Sequence, residues 1–366
     1  MQPKLKTVPM RDWNLGLDDF VVISGPCSAE NEEQVLNTAR DVAKSDKVKV
    51  LRAGIWKPRT RPNSFEGVGE IGLKWLKKAK EETGLPIAVE VANAQHVELC
   101  LKYDVDILWV GARTTVNPFS VQEIADALKG IDIPVMVKNP INPDLQLWIG
   151  ALERINQAGI TKLAAIHRGF SSFEKGPFRN IPKWELPIEL MRVCPEIEII
   201  CDPSHIAGNR DLIPFISQKA IDMDMHGLMI ESHIQPKIAL SDAKQQVKPA
   251  QLVTLLDELT IRKPSSQNPE FKSLLDELRS EIDEIDEGII QSLGTRMGIS
   301  EKIGEYKRDN DVTILQVNRW DEIIRNRLNL AKALGLSETF MNKLLAIIHE
   351  ESIRRQTDVM NRELAK

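Results

Sequence analysis

This 366-residue sequence has few cysteines, no long apolar run and no net positive charge. Its four cysteines form no CxxC pair, and a chain of this size needs no disulfides, so we expect reduced thiols and a cytoplasmic location. No stretch approaches the roughly 18 consecutive apolar residues of a membrane span, and the first residues hold no apolar signal segment. A net charge of −5 argues against nucleic-acid or membrane partners, because both require a broad basic surface.

One short stretch departs from this acidic balance. The segment RAGIWKPRTR, residues 52–61, carries four positive charges and no acid. Because the chain as a whole is acidic, a cluster of this size is expected to meet a small anion rather than a charged polymer.

A pattern of eight repeated units occupies residues 20–260. In each unit a short apolar run rich in β-branched residues is followed by a polar or Gly/Pro break and an amphipathic helical stretch. The runs are FVVIS, VKVLRA, PIAVEV, ILWVGA, PVMVK, KLAAIH, EIICD and GLMIES. Alternating units predict a parallel sheet of the α/β class, and eight of them fit a closed (β/α)8 TIM barrel. An open doubly wound sheet is the alternative, although no GxGxxG motif follows any run.

The composition changes after the last of these units. Residues 261–270, IRKPSSQNPE, have two prolines, two serines and no apolar periodicity, which predicts a linker. We therefore expect a barrel domain over residues 1–260 and a separate all-α domain over residues 271–366.

The predicted C-terminal domain contains three helices. Apolar residues recur every three or four positions from Phe271 to Leu293, which indicates one long amphipathic helix. Two more helices are predicted at about 317–334 and 338–362. Three helices give a thin core, so this domain is expected to self-associate.

Nearly every predicted strand ends in a charged or metal-ligating residue. In a (β/α)8 barrel these ends form the functional face. Any one such residue could be an ordinary surface charge or a buried polar group, but eight strand ends of this kind on one face indicate chemistry. In chain order the residues are Cys27, Arg52 with Lys57, Glu90, Arg113, Lys138, His167 with Arg168, Asp202 with His205, and Glu231 with His233.

These residues separate into two chemistries. The first set consists of six cations, which predict a polyanionic ligand or two anions held together. These cations are Arg52, Lys57, Arg59, Arg113, Lys138 and Arg168. A second set combines sulfur, nitrogen and oxygen donors, namely Cys27, His205, Glu231 and Asp242. This mixture predicts a divalent-metal site of intermediate softness, whereas a closed structural zinc site would favour Cys and His alone.

Eight short motifs carry a family resemblance. SGPCS, LRAGIWKPRT, GARTT, VMVKNP, HRGF, DPSH, MIESH and LSDAKQQ, in this order, resemble the 3-deoxy-D-arabino-heptulosonate 7-phosphate (DAHP) synthases of the short, type Iβ-like kind over residues 1–260. The resemblance implies condensation of phosphoenolpyruvate with a phosphorylated aldose at the start of the shikimate pathway to the aromatic amino acids. KPRT favours erythrose 4-phosphate as the aldose, and arabinose 5-phosphate is the alternative.

The resemblance also implies a role for each motif residue. Mn²⁺, Fe²⁺, Co²⁺ or Zn²⁺ would polarise the aldehyde oxygen as a Lewis acid and would be bound by Cys27, His205, Glu231 and Asp242. Phosphoenolpyruvate would be held by Arg52, Lys57, Arg113, Lys138 and Arg168. The erythrose 4-phosphate site would be lined by Pro58, Arg59 and Thr60. Lys57 is our candidate proton donor near the aldehyde oxygen, because it is the cluster member closest in sequence to both substrate sites.

Helical geometry relates three cations of the C-terminal domain. On an ideal helix Arg296 and Lys307 differ by about 20° in direction and about 16 Å in rise, so both side chains could lean toward one small dianion. Arg279 lies about 26 Å before Arg296 on a different face, and only an antiparallel partner helix could deliver it to that ligand. The alternative is that all three are solvated helix charges.

A second resemblance covers about 90 residues of this domain. The run LLDELRSEIDEIDEGIIQSLGTRMGISEKIGEYK, then Arg319 and EESIRRQ, resembles the AroQ-type chorismate mutases, which are intertwined all-helical dimers. The resemblance implies that this domain rearranges chorismate to prephenate without a nucleophile or a metal. The site would bind the two carboxylates of chorismate and stabilise the charge that develops on its ether oxygen. The chorismate site would combine Arg279 of one protomer with Arg296, Lys307, Arg319, Ser352 and Gln356 of the other.

The chain departs from the mutase pattern at two positions. Gln316 and Trp320 stand where that family often has acids, one of them a Glu that contacts the substrate hydroxyl, so weaker turnover is expected. An alternative therefore makes the helical domain only a dimerising ligand sensor. In either case we expect prephenate to restrain the barrel through this domain. We also expect a homodimer through the helices, with pairing of dimers into tetramers left open.

Overall fold

A computed structural model describes residues 3–57, 64–171, 176–263, 265–315 and 317–361, without the side chains of 317–319. The chain divides into two compact units, Met1–Pro264 and Ser265–Lys366. Each unit is described by itself. Among the described helices, none combines the length and the apolar character that a membrane crossing requires.

The first unit contains a closed barrel of eight parallel strands in sequential order. This confirms the predicted (β/α)8 fold, and the open-sheet alternative is wrong. The barrel closes where β1 pairs with β8, with Gly25 beside Glu231. The strands are β1 Val21–Gly25, β2 Val48–Arg52, β3 Ile87–Val91, β4 Ile107–Val110, β5 Val135–Lys138, β6 Leu163–His167, β7 Glu198–Cys201 and β8 Gly227–Glu231.

Helices follow the strands around the barrel. Several of them begin after an Asn or Asp whose side chain accepts a hydrogen bond from a backbone N–H of the first turn. Asn31 accepts from the N–H of Gln34, and Asp144 accepts from the N–H of Leu147. The helices are α1 Glu32–Val42, α2 Glu70–Thr83, α3 Ala94–Lys102, α4 Ala112–Thr115, α5 Pro118–Ala127, α6 Leu145–Gln157, α7 Glu185–Val193, α8 Pro203–Ala207, α9 Ile213–Asp222 and α10 Pro249–Glu258.

The alternation of side chains along the strands produces two apolar layers. One layer lies between the strands and the surrounding helices. The other fills the barrel interior with Ile23, Val50, Trp109 and other strand residues, and Met10 and Trp13 of the N-terminal segment belong to it. The backbone N–H of Met10 donates to Glu198, the first residue of β7, so this segment covers the end of the barrel opposite the strand carboxyl ends. Among the described residues, the opposite end of the barrel, at the strand carboxyl ends, has no such cover.

The second unit contains α11 Pro269–Asp309, α12 Val317–Ala333 and α13 Glu338–Asn361. The carboxyl-terminal part of α11 packs closely on α13: a Cβ placed on Gly304 would lie 3.0 Å from the Cα of Gln356. The amino-terminal half of α11 is exposed, although it carries an apolar stripe of Leu278, Ile282, Ile285 and Ile289.

Candidate active sites

The carboxyl ends of the barrel strands meet around one pocket. It has about 590 Å³ of empty volume, part of it open to solvent. Five of the lining side chains are Lys or Arg and two are carboxylates, so the pocket suits an anionic ligand. The lining residues are Lys57, Glu90, Ala112, Arg113, Lys138, Arg168, Arg179, His205 and Asp242.

Three of the four predicted metal ligands converge beside this pocket. Ligand atoms of Cys27, Glu231 and Asp242 lie within 4.8 Å of one another. The Nε2 atom of His205 lies 3.7 Å from Oε1 of Glu231. That Oε1 atom is buried and accepts no hydrogen bond from any residue that the structure describes. Nη1 of Arg52 approaches the same oxygen to 3.3 Å without completing a hydrogen bond. A buried carboxylate oxygen that accepts no hydrogen bond, next to a thiol and an imidazole, fits the donor set of a divalent metal ion.

The imidazole of His205 is oriented by Asp202. Its Nδ1 lies 2.8 Å from Oδ2 of Asp202, and its backbone N–H donates to Oδ1 of the same carboxylate at the start of α8. This arrangement directs Nε2 toward Glu231. Burial lowers the pKa of His205 even though Asp202 opposes the effect, so the ring is neutral, the form in which histidine binds metals.

Arg52 and Lys57 both contact Cys27. Nη2 of Arg52 and Nζ of Lys57 donate to the carbonyl oxygen of Cys27 at 3.1 and 3.0 Å, and Nζ of Lys57 lies 3.2 Å from the Sγ atom. Nη1 of Arg52 lies 3.3 Å from Oε1 of Glu231. Burial raises the pKa of Cys27 to about 12, so its thiol keeps the proton until a metal replaces it.

The other predicted cations surround the same pocket. Burial lowers the pKa of Arg168 to about 10, and its Nη1 donates to Oδ1 of Asn180 at 2.8 Å. Lys138 pairs with Asp202 at 2.7 Å, and Arg113 is a lining residue. Predictions for three further residues lie outside the described part of the chain, namely Pro58, Arg59 and Thr60.

Sequence reasoning missed several side chains of this mouth. Arg179 donates to Asp242 and to Gln245, and Gln245 donates to Glu231. Arg179 lies in the loop after β6, well beyond the strand end, so the search of strand ends could not find it. Gln245 stands inside the quoted motif LSDAKQQ, and a search for amide partners of the carboxylates there could have found it.

The helical unit brings four predicted mutase residues to the packed end of α11 and α13. Nη1 of Arg296 donates to Oγ of Ser352, and Nζ of Lys307 donates to the carbonyl oxygen of Ile314. Oε1 of Gln356 is buried and has no hydrogen-bond donor within the described residues. Burial lowers the pKa of both Arg296 and Lys307, and Arg327 adds to the effect on Arg296. This end therefore holds two partly buried cations that an anion would stabilise.

Two predicted mutase residues are not placed in that cluster. The side chain of Arg279 is 65% exposed and lies 3.7 Å from Asp276 on its own helix. The side chain of Arg319 lies outside the described part of the structure.

Comparison with known proteins identifies the first unit. Residues 6–264 match the DAHP synthetase I family. The chain belongs to this family. Residues 278–357 match chorismate mutase type II, so the chain is an enzyme that joins a DAHP synthase to a chorismate mutase.

Two curated relatives resemble the DAHP synthase unit. A phospho-2-dehydro-3-deoxyheptonate aldolase of Thermotoga maritima is 34% identical over 245 residues, which cover 67% of this chain and 70% of that protein. A 2-dehydro-3-deoxyphosphooctonate aldolase of Variovorax paradoxus is 26% identical over 275 residues, covering 68% and 92%.

Solved structures give the same barrel. The crystal structure of the Thermotoga maritima DAHP synthase aligns with a TM-score of 0.59 and 32% identity, covering 71% of this chain and 70% of that one. A truncated form of the Thermotoga maritima synthase aligns with a TM-score of 0.57 and 30% identity, covering 71% and 87%.

Proposed function

We propose that the barrel of this DAHP synthase joins phosphoenolpyruvate to D-erythrose 4-phosphate and water, giving DAHP and phosphate. The observation that carries the proposal is the meeting of five cations and the thiol–imidazole–carboxylate set at one mouth. In the reaction C3 of the enol forms a bond to the aldehyde carbon, water adds at C2, and the C2–O bond to phosphate breaks. Two anionic substrates must be held side by side, and a cation-lined pocket suits that task.

The proposed roles are those that the family resemblance implies for the residues around this pocket. The phosphate and carboxylate of phosphoenolpyruvate are bound by Arg52, Lys57, Arg113, Lys138 and Arg168. A divalent ion of the Mn²⁺, Fe²⁺, Co²⁺ or Zn²⁺ type would be held by Cys27, His205, Glu231 and Asp242, and when bound it would supply Lewis-acid polarisation of the aldehyde.

Lys57 is the proposed proton donor to the aldehyde oxygen. Burial acts to lower the pKa of Lys57, but the negative charges of Glu90 and Glu231 act in the opposite direction, and that pKa lies above its ordinary value. The ammonium therefore stays charged, and its Nζ lies 3.2 Å from Sγ of Cys27, within reach of a group bound at the metal ligands.

Identity of the aldose is tested by a substrate panel. The higher identity to the heptonate aldolase than to the octonate aldolase favours a four-carbon aldose over a five-carbon one. Loss of phosphoenolpyruvate is measured with erythrose 4-phosphate and, separately, with arabinose 5-phosphate. We expect a larger kcat/KM with erythrose 4-phosphate, and the reverse ranking would reject this substrate assignment.

We propose that the helical unit binds chorismate at the packed end of α11 and α13 and converts it to prephenate. Arg296 contacts Ser352 there and Gln356 packs against Gly304, and we assign to this site Arg296, Lys307, Arg319, Ser352 and Gln356. The carboxylates of chorismate would pair with the cations of this site, whose partial burial favours an anionic partner, and the amide NH2 group of Gln356 would donate to the ether oxygen.

Arg279 is proposed to reach this site from the partner copy of a homodimer. Its exposure and the exposed apolar stripe of α11 support this, because a stripe of that kind needs a covering surface. Mixing Arg279→Ala and Arg296→Ala proteins is the test. Random exchange makes half of the dimers mixed, each with one intact site of two, so mutase activity should return to about a quarter of the wild-type level. Absence of recovery after confirmed subunit exchange would place the whole site in one chain.

The alternative, a ligand sensor without turnover, rests on Gln316 and Trp320. The Trp320 ring stacks on His349 at 3.8 Å and offers no carboxylate to a substrate hydroxyl. Consumption of chorismate by the full chain decides between mutase and sensor. We propose prephenate as the feedback effector. We also propose a cytoplasmic location, which the four buried cysteines without a disulfide support.

Prephenate control has its own test. Synthase activity of the full chain is measured with and without prephenate, in the wild type and in Arg296→Ala. We expect inhibition of the wild type and its loss in the variant; equal inhibition of both would remove the helical site from the control route.

A further inference from the structure

We propose that Arg179 is a positioning residue of the metal site, which fixes one oxygen of Asp242 directly and one oxygen of Glu231 through Gln245. The inference rests on the proposed metal-dependent function. It concerns a side chain outside the strand-end set, in the loop between β6 and α7.

The two carboxylate oxygens of Asp242 face different neighbours. Nη1 of Arg179 donates to Oδ1 at 2.9 Å, while Oδ2 lies 3.5 Å from Sγ of Cys27. One oxygen is thus held by a guanidinium, and the other is turned toward the thiol. A carboxylate held in this way presents a single oxygen to a cation between Asp242 and Cys27.

The contact with Gln245 sets the direction of an amide. Nη1 of Arg179 donates to Oε1 of Gln245 at 2.7 Å. An amide has one accepting and one donating end, so Nε2 is directed to Oε2 of Glu231, which it reaches at 2.7 Å. Oε1 of Glu231 is left without a donor among the described residues. Without Arg179, the amide oxygen of Gln245 loses its donor, and of these two partners only the carboxylate of Glu231 still orients the amide.

The backbone around Arg179 is tied to the segment that carries His205. Its N–H donates to the carbonyl oxygen of Ala207, and Nδ2 of Asn180 donates to the carbonyl oxygen of His205 at 2.6 Å. Gly208 ends α8 at a φ of +68°, and a Cβ there would lie 2.3 Å from the Cβ of Arg179. The glycine therefore permits both the left-handed turn and the passage of the arginine side chain.

Outer residues of this kind alter metal affinity without touching the metal. Loss of such a partner typically weakens binding by about 10- to 100-fold. We therefore expect the effect in metal affinity rather than in overall folding.

The experiment measures Mn²⁺ binding to metal-stripped full-length protein by calorimetry and by the electron paramagnetic resonance of free Mn²⁺. Arg179→Met, which keeps the apolar stem, should weaken binding by about 10- to 100-fold. Gln245→Met should weaken it too, and the double variant should lose less than the product of the two, since both act on Glu231. Arg179→Lys should recover part of the loss, because an ammonium can still donate to both acceptors.

A matched control uses an arginine with a carboxylate partner away from the mouth. Arg192 pairs with Glu189 on α7 at 2.6 Å, and Arg192→Met should bind Mn²⁺ as the wild type does. Wild-type Mn²⁺ affinity in Arg179→Met, with a raised KM for the aldose, would overturn the inference and make Arg179 a substrate-binding residue. A wild-type protein that binds Mn²⁺ no better than Cys27→Ala would instead reject the metal site itself.

Discussion

The buried Lys138–Asp202 pair supports a quantitative stability prediction. Nζ lies 2.7 Å from Oδ2, and the side chains are 5% and 0% exposed. At that separation two unit charges attract by about 6 kcal/mol for an effective dielectric constant of about 20. Desolvation offsets much of this, and removing one partner of a buried pair costs about 3–5 kcal/mol. Because Asp202→Asn keeps an acceptor oxygen, we expect the free energy of unfolding of the barrel to fall by about 3 kcal/mol at neutral pH.

The pH dependence of this loss has a definite sign. Burial opposes ionisation of Asp202, but His205 and Lys138 hold its pKa well below the usual value. A carboxylate with a depressed pKa stabilises the fold above its unfolded-state pKa of about 3.9 and loses that contribution as the pH falls toward the folded-state pKa. The difference between wild type and Asp202→Asn should therefore stay constant above about pH 5 and shrink below about pH 4.

Urea unfolding followed by tryptophan fluorescence measures this difference, since six of the seven tryptophans precede residue 264. Asp132→Asn is the control, because Asp132 pairs with Lys162 at a similar 2.8 Å but is 81% exposed. That exposed pair should contribute less than about 1 kcal/mol. Equal losses in the two variants would refute the argument that burial gives the Lys138–Asp202 pair its weight.

Three further predictions concern the two active sites. Lys57→Ala should lower the kcat of the synthase by about 10²- to 10⁴-fold, and a variant that binds both substrates and keeps most of its kcat would exclude the proton-donor role. EDTA should abolish synthase activity and leave chorismate turnover unchanged; equal loss of both would contradict a metal-free mutase. Gly304→Ala should destabilise the helical unit by about 1–3 kcal/mol in thermal unfolding, because its Cβ would lie 3.0 Å from Cα of Gln356. Gly298→Ala, with nothing within 4 Å, should not.

The barrel could be predicted from the sequence because its strands are short apolar runs with helices between them. The run PVMVK, for example, contains β5 Val135–Lys138, and GLMIES contains β8 Gly227–Glu231. Each predicted strand brought its last residues to the same mouth, which explains why Lys57, Arg113 and Lys138 line one pocket.

The part of the barrel site that could not be predicted from the sequence depends on contacts between loops. Arg179 and Asp242 are 63 positions apart and meet because loops after β6 and β8 fold over the same mouth. No periodicity or strand-end rule encodes such a meeting. The orientation of the Gln245 amide is likewise a property of its two partners and not of its own position in the chain.

In the helical unit, too, a helix could be predicted from the sequence but its contacts could not. The period of three to four residues predicts α11, yet that pattern cannot say what covers Leu278 and Ile282. The contact of Arg296 with Ser352 requires the packing of α11 on α13, which helix-face geometry along one helix does not specify.

We propose that one chain holds two chemically separate active sites. The most direct measurement assays both reactions on full-length wild type, Cys27→Ala and Arg296→Ala. We predict that Cys27→Ala loses DAHP formation and keeps chorismate turnover, while Arg296→Ala keeps DAHP formation and loses chorismate turnover. A wild type without either activity, or a single substitution that abolishes both while the protein stays folded, would contradict the account.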